Sequence, residues 1–192
     1  MPSAMYRAAY VVSDEKIAML LVDPMRRTIL NLLADGEYTQ SQMAEIVGLT
    51  NASVGHHIRI LSEANLIKVV RREEEIHGIM QNFYRSVALC IVVDIERMSK
   101  SVSKYFFPIN IERLRGAVAA LTSENVVDTR TKMNTKRSEE IAENLAISIA
   151  RQARRLGNQK TRLDRESITI EIYRRALKET IPSLERALVS AK

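Results

Sequence analysis

The sequence predicts a mainly α-helical protein carrying one two-stranded β-hairpin within residues 66–85. Three observations lead there. Aromatic residues make up only 5% of the chain, with no Trp, while Leu, Ile, Ala and Met abound. That balance favours helix over sheet. Helix-start signals recur at Asp23-Pro24, Thr39 and Thr50, and after Asn65 the chain turns to β-branched residues. An apolar share of 46% over 192 residues supports a real core in one compact domain or two small ones.

The elements follow in order. Asp23 is an N-cap followed by Pro24 at the first helical position. Ile29, Leu30, Leu32 and Leu33 give this helix its apolar face, and Asp35-Gly36 ends it. Thr39, with Gln42 three residues on, forms a capping box for the next helix. Met43, Ile46 and Val47 recur there at helical spacing. Gly48 breaks that helix, Thr50 caps the following one, and Asn65 reads as a left-handed C-cap. Leu66 to Arg72 and Ile79 to Arg85 are strand-like, joined by the polar connection from Glu73 to Gly78.

From Val87 onward the reading is helical. One helix is expected over 88–105, then Pro108, then another over about 109–121. Thr122–Lys136 reads as a polar linker. Ser138 is expected to cap a helix closed by Gly157, with Arg151, Arg154 and Arg155 complementing the dipole in its last turn. A final helix runs from Leu163 toward Leu188, with Ile170, Tyr173, Leu177, Ile181, Leu184 and Leu188 on one stripe. Pro182 should kink or interrupt it. The expected architecture is a winged helix-turn-helix domain at 1–87 with its two-stranded hairpin, followed by an all-α region at 88–192.

A helix-turn-helix crosses two short helices steeply, which fixes a few positions. Ala44 is the small residue at the crossing, Gly48 the turn residue that tolerates positive φ, and Val54 the inward apolar residue of the second helix. Their separations of four and six residues are those of the motif. Val54, Ile58 and Leu61 share the inward face of the second helix. The opposite face presents Asn51, Ala52, Ser53, Gly55, His56 and Arg59. Asn pairs with adenine edges, Arg with guanine, and Ser and His with bases or phosphates. Gly55 would let the backbone approach a groove closely. His57 leans toward the core and is expected to be partly buried and hydrogen-bonded.

Residues 20–85, about a third of the chain, resemble the ArsR (arsenical-resistance repressor) type of winged helix-turn-helix regulator. The stretches that carry the resemblance are LVDPMRRTILNLL, TQSQMAEIVGLTNASVGHHIRILSEANLI and the strand containing NFYR. The resemblance implies that Asn51 to Arg59 enter the major groove of double-stranded DNA while the hairpin touches the flanking backbone. It further implies a homodimer that represses transcription. The expected DNA-binding set is Thr50, Asn51, Ser53, Gly55, His56, Arg59, Arg71 and Arg72, with Arg85 as a further backbone contact. The family's metal sensors carry paired cysteines in the region equivalent to Gln40–Val47. This chain has none there, so neither metal sensing nor a cofactor is expected. The hairpin connection, with Glu73, Glu74 and Glu75, is acidic and unsuited to deep insertion between phosphates.

The formal net charge of +6 suggests a polyanionic partner. Its placement is uneven: residues 1–88 carry 9 Lys and Arg against 10 Asp and Glu, and residues 89–192 carry 20 against 13. Two explanations for the basic stretch Arg130–Arg165 stay open. It flanks the duplex and adds non-specific affinity, or it pairs with acidic faces of the winged domain or a partner subunit. The helices after residue 88 likewise have two readings, a dimerisation scaffold, which is favoured, or an effector domain with a small-molecule pocket between helices.

Other classes fit poorly. The chain shows no phosphate-cradling glycine loop, no nucleophile elbow and no paired His or carboxylate constellation, so no enzyme is expected. The one cysteine, Cys90, lies in the apolar run Val87–Val93 and reads as a small buried hydrophobe. With three histidines, it offers no metal cluster within one subunit. That apolar run is far short of the ~20 residues needed to cross a bilayer, and the N-terminus shows no signal-peptide pattern. A cytoplasmic DNA-binding repressor acting on a pseudo-palindromic operator is therefore the expectation. The alternative is a winged-helix protein-interaction module in a transcription or chromatin assembly.

Overall fold

The computed structural model describes residues 6–74, 78, 80–123, 135–157 and 159–189. Strands β1 (Tyr6–Arg7) and β2 (Ala9–Val12) precede helices α1 (Glu15–Leu20), α2 (Pro24–Asp35), α3 (Gln40–Val47) and α4 (Asn51–Glu63). The chain continues with β3 (Ile67–Glu74), β4 (Met80–Ser86), β5 (Cys90–Val93) and the short α5 (Lys100–Ser103). Then come α6 (Phe107–Ser123), α7 (Thr135–Gly157), β6 (Lys160–Thr161) and α8 (Arg165–Val189).

Local signals set the first half. The Asp23 carboxylate accepts the backbone N–H groups of Met25 and Arg26 at 2.8 and 3.3 Å, with Pro24 behind it. These are donors the first helical turn would otherwise leave unsatisfied. Asp14 does the same for α1, at 2.8 and 3.0 Å to Lys16 and Ile17. Asn65 turns the chain at φ 54° after α4, in the left-handed region. β3 and β4 then pair antiparallel from Ile67↔Ser86 to Glu74↔Met80, with an irregularity between Val69 and Arg71. Tyr38 extends this ladder, exchanging backbone hydrogen bonds with Tyr84 at 3.2 and 2.9 Å. Of the acidic connection, Glu75 lies outside the described residues.

The second half departs from the sequence reading in several places. No helix spans 88–105. Cys90–Val93 is a strand paired parallel to β2, from Ala9↔Cys90 to Val12↔Val93, so the region after residue 88 is not all-α. A short apolar run with no periodicity fits a buried strand as well as a buried helix, and its partner strand lies far back in the sequence. α7 starts at Thr135, which places Ser138 inside the helix rather than at its cap. Thr122 and Ser123, expected in the linker, end α6, and the remainder of the expected linker, 124–134 with Arg130, lies outside the described residues. α6 starts at Phe107, so Pro108 occupies the first turn, where its missing N–H costs nothing.

On α8 the buried row is Ile168, Ile172, Ala176 and Thr180, four residues apart, whereas Ile170 is 58% exposed. The stripe expected from sequence is therefore rotated. Tyr173 and Leu177 flank the buried row, and the side chains of Leu184 and Leu188 lie outside the described residues. The helix runs through Pro182 without ending there.

Two cores result. One lies beneath the helix-turn-helix, where Ile29, Leu33, Met43, Val54, Leu61 and Leu66 are joined by Ile95, Val102 and Phe106 from later in the chain. The other packs Ala8, Ala9, Leu89 and Val92, in and beside the parallel strands, against three helices. Leu114 of α6, Leu145 and Ile149 of α7 and Ile172 of α8 complete it. The strand pair joins the two cores. Gly157 closes α7 against β2 so tightly that a Cβ there would lie 2.9 Å from the Ala9 carbonyl oxygen. Arg7 pins the same junction, its Nε donating to the carbonyls of Ala9 and Gly157, each at 3.0 Å. Among the described residues no helix is long and apolar enough to cross a membrane.

Candidate nucleic-acid interface

The α3–turn–α4 unit is held by short-range bonds that its own sequence supplies. Thr39 Oγ1 accepts the Gln42 N–H at 3.3 Å, and Gln42 Oε1 accepts the Thr39 N–H at 2.9 Å, which completes the capping box. Gly48 adopts φ 70°, and the Leu49 N–H returns to the Ala44 carbonyl at 3.0 Å. Thr50 Oγ1 accepts the Ser53 N–H at 3.2 Å and starts α4. Ala44, Val54, Ile58 and Leu61 are buried, as the motif requires.

The structure brings the predicted α4 residues onto one outer face. Asn51, Ala52, His56 and Arg59 are exposed, while Ser53 and Gly55 are half-buried. Arg59 lies 3.4 Å from Glu63 Oε1 and 3.4 Å from His56 Nδ1. A guanidinium only donates, so the Arg59–His56 contact is a hydrogen bond only where Nδ1 of His56 carries no proton. Gly55 has a neighbour that sequence reasoning missed: a Cβ there would lie 2.9 Å from Gln40 Nε2. That amide donates to the Asn51 carbonyl at 2.7 Å. A side chain eleven residues away across a turn leaves no periodic signal.

His57 sits on the inner side of α4, as expected, but its buried Nδ1 makes no hydrogen bond. The expected hydrogen-bonded state is therefore not found for that atom. The nearby Arg26 also has a buried Nε without a partner, although its Nη2 pairs with Asp23 at 3.2 Å. Burial raises the Asp23 pKa, but the N–H groups of Arg26 and Met25, with the Arg26 and His57 charges, hold it below the ordinary aspartate value.

The hairpin arginines differ from one another. Arg71 stacks on the Phe83 ring at 3.6 Å and pairs with Glu73 and, at 3.6 Å, with Glu37. Arg85 stacks on Tyr6 at 3.7 Å and lies 3.9 Å from the same Glu37. Arg72 is exposed and makes no ion pair among the described residues. Lys68, which the sequence reading does not single out, is exposed on the same strand.

Several basic C-terminal residues pair with carboxylates of the same chain. Arg151 and Arg155 each lie 3.6 Å from Glu179. Arg154 pairs with the buried Asp94, and Arg165 reaches Asp35 at 3.2 Å. Of these four, only Arg165 pairs with an acidic residue of the winged domain, whereas Arg151, Arg154 and Arg155 pair with carboxylates after residue 88 of the same chain, which neither open explanation anticipates.

Comparison with known proteins agrees with this geometry. Residues 23–69 match the family described as bacterial regulatory protein, arsR family. The transcriptional repressor SdpR of Bacillus subtilis (strain 168) is 38% identical over 55 residues, which is 29% of this chain and 61% of that protein. The family match ends inside β3, so it holds the helix-turn-helix and little else.

Proposed function

We propose that this chain is a sequence-specific DNA-binding transcription repressor, a reading that rests on the match of residues 23–69 to the arsR family of bacterial regulatory proteins. The observation that carries this reading is the outer face of α4, capped at its start, backed by Val54, Ile58 and Leu61, and left exposed. In this reading Asn51, Ser53, His56 and Arg59 contact base edges in the major groove, with Thr50 and Gly55 at the backbone. Arg72 and Lys68 supply phosphate contacts from the hairpin, and Arg71 is the weaker candidate because Glu37 and Glu73 already engage it. Residues 1–87 serve as the reader. Residues 88–192 pair two chains, so that a homodimer meets a pseudo-palindromic operator.

The test is binding of the purified protein to DNA from upstream of its own gene, against a scrambled duplex of equal length, at fixed salt. Preference for the upstream fragment by about 10³-fold or more is the range of specific regulators. Equal affinity for both duplexes, or none for either, would favour the protein-interaction module instead. Sedimentation with and without the operator reads the dimer directly.

A further inference from the structure

A cavity of about 300 Å³ lies between α2, β5, α6 and α8, at the seam of the two cores. Its lining is mainly apolar and includes three arginines, Arg27, Arg113 and Arg165, but no Asp or Glu. Two of these cations are already engaged. Arg27 Nη1 donates to the carbonyls of Leu21 and Val22 at 2.8 and 2.9 Å, and Arg165 pairs with Asp35. Arg113 is the least engaged: it is half-buried, and where Arg27 is held by two backbone carbonyls, Arg113 has one polar partner among the described residues, the neutral Asn110 Oδ1 at 3.3 Å. Asn110 itself is only 4% exposed. Cys90 also lines the cavity, its Sγ 3.2 Å from Thr169 Oγ1.

We propose that this cavity binds a small monocarboxylic acid with an apolar tail or ring. The carboxylate would lie on the Arg113 guanidinium beside Asn110, and the apolar part among the aliphatic side chains of α2, β5 and α8. A planar guanidinium with a neutral neighbour matches a carboxylate in charge and shape. The volume stands at the low end for ligand sites, and the apolar walls offer a polyanion such as a nucleotide too few donors. An occupant there touches α2, whose Leu30 also belongs to the core beneath α4. The inference goes beyond DNA binding and does not depend on it.

The full-length protein is titrated with octanoate and phenylacetate, and with octanamide and phenylacetamide as neutral counterparts. Thermal unfolding reports binding, and the alkylation rate of Cys90, the one cysteine in the chain, reports its place. The acids should raise Tm with concentration, bind roughly tenfold tighter than the amides or better, and slow Cys90 alkylation. Arg113→Gln should remove the preference for acids. Asn110→Asp, a near-isosteric change, should do so by charge repulsion and keeps the test open if the first variant folds poorly. The proposal is overturned if the acids do not bind, if the amides bind as well, if Cys90 is not protected, or if folded variants keep the preference.

Discussion

Gln40 of α3 donates its side-chain Nε2 to the backbone carbonyl of Asn51, the first residue of α4, at 2.7 Å. The bond ties the starts of the two helices together across the Gly48 turn. Gly55, one turn further along α4, leaves room for that amide. The glycine read from sequence as a point of close groove approach is thus also a seat for Gln40.

Gly55→Ala should therefore separate stability from binding. Alanine gains up to about 1 kcal/mol of helix propensity, and displacing Gln40 loses a hydrogen bond worth about 1 kcal/mol. Thermal unfolding should show little net change, while operator affinity falls by roughly one half to one order of magnitude as the start of α4 loosens. Gln40→Ala should weaken binding similarly. Because both act through one contact, the double variant should be no worse than either alone. Additive losses in a binding titration would show that Gly55 acts independently of Gln40.

The helix-turn-helix is legible in the sequence because its causes are local. Thr39 and Gln42, the Gly48 turn and the Thr50 cap each act within a few residues, so spacing alone reveals them. The β2–β5 pair is not, because Ala9 and Cys90 meet only in the folded chain and the Val87–Val93 run carries no periodicity. The outer face of α4 follows from helical spacing, yet its Gln40 strap does not. The pairing of the hairpin arginines also stays hidden, since Glu37 approaches Arg71 and Arg85 only through tertiary packing.

Arg59 offers the clearest specificity test. Its side chain is exposed and its contact with Glu63 is a surface pair, which contributes less than about 1 kcal/mol. Arg59→Ala should leave Tm almost unchanged. If Arg59 reads a guanine, operator binding should weaken by about 1–3 kcal/mol and tolerance should rise at one base position. Uniform weakening across all sequences would assign it to phosphate instead.

The salt dependence of binding should come from the winged half. Arg151 and Arg155 face Glu179, so replacing both with Gln should leave the slope of log affinity against log salt unchanged. Arg72→Gln should reduce that slope by about one. Asp94 is a different case: it is buried, and it holds Arg154 of α7 and, at 3.4 Å, Arg97. Asp94→Ala leaves two solvent-exposed arginines rather than a buried charge, so it should destabilise the fold by only about 1 kcal/mol, measured by urea unfolding.

Asp23 links the helix-turn-helix scaffold to pH. Burial pulls its pKa up, but the Arg26 and Met25 N–H groups and nearby positive charge outweigh it, and the folded value lies below the ordinary one. The folded state therefore binds the Asp23 proton more weakly than the unfolded chain. Its contribution is complete above the unfolded aspartate pKa, about 4, and is lost as pH falls through the lower folded value. Asp23→Asn keeps a good N-cap but removes the titration. The parent should be modestly more stable than this variant at about pH 7, and the gap should close as pH falls below about 4. Asp23→Ala, which loses the cap itself, should cost about 1 kcal/mol at neutral pH. A gap between parent and Asp23→Asn that stays constant across that acid range in urea titrations would place the acid sensitivity on another carboxylate.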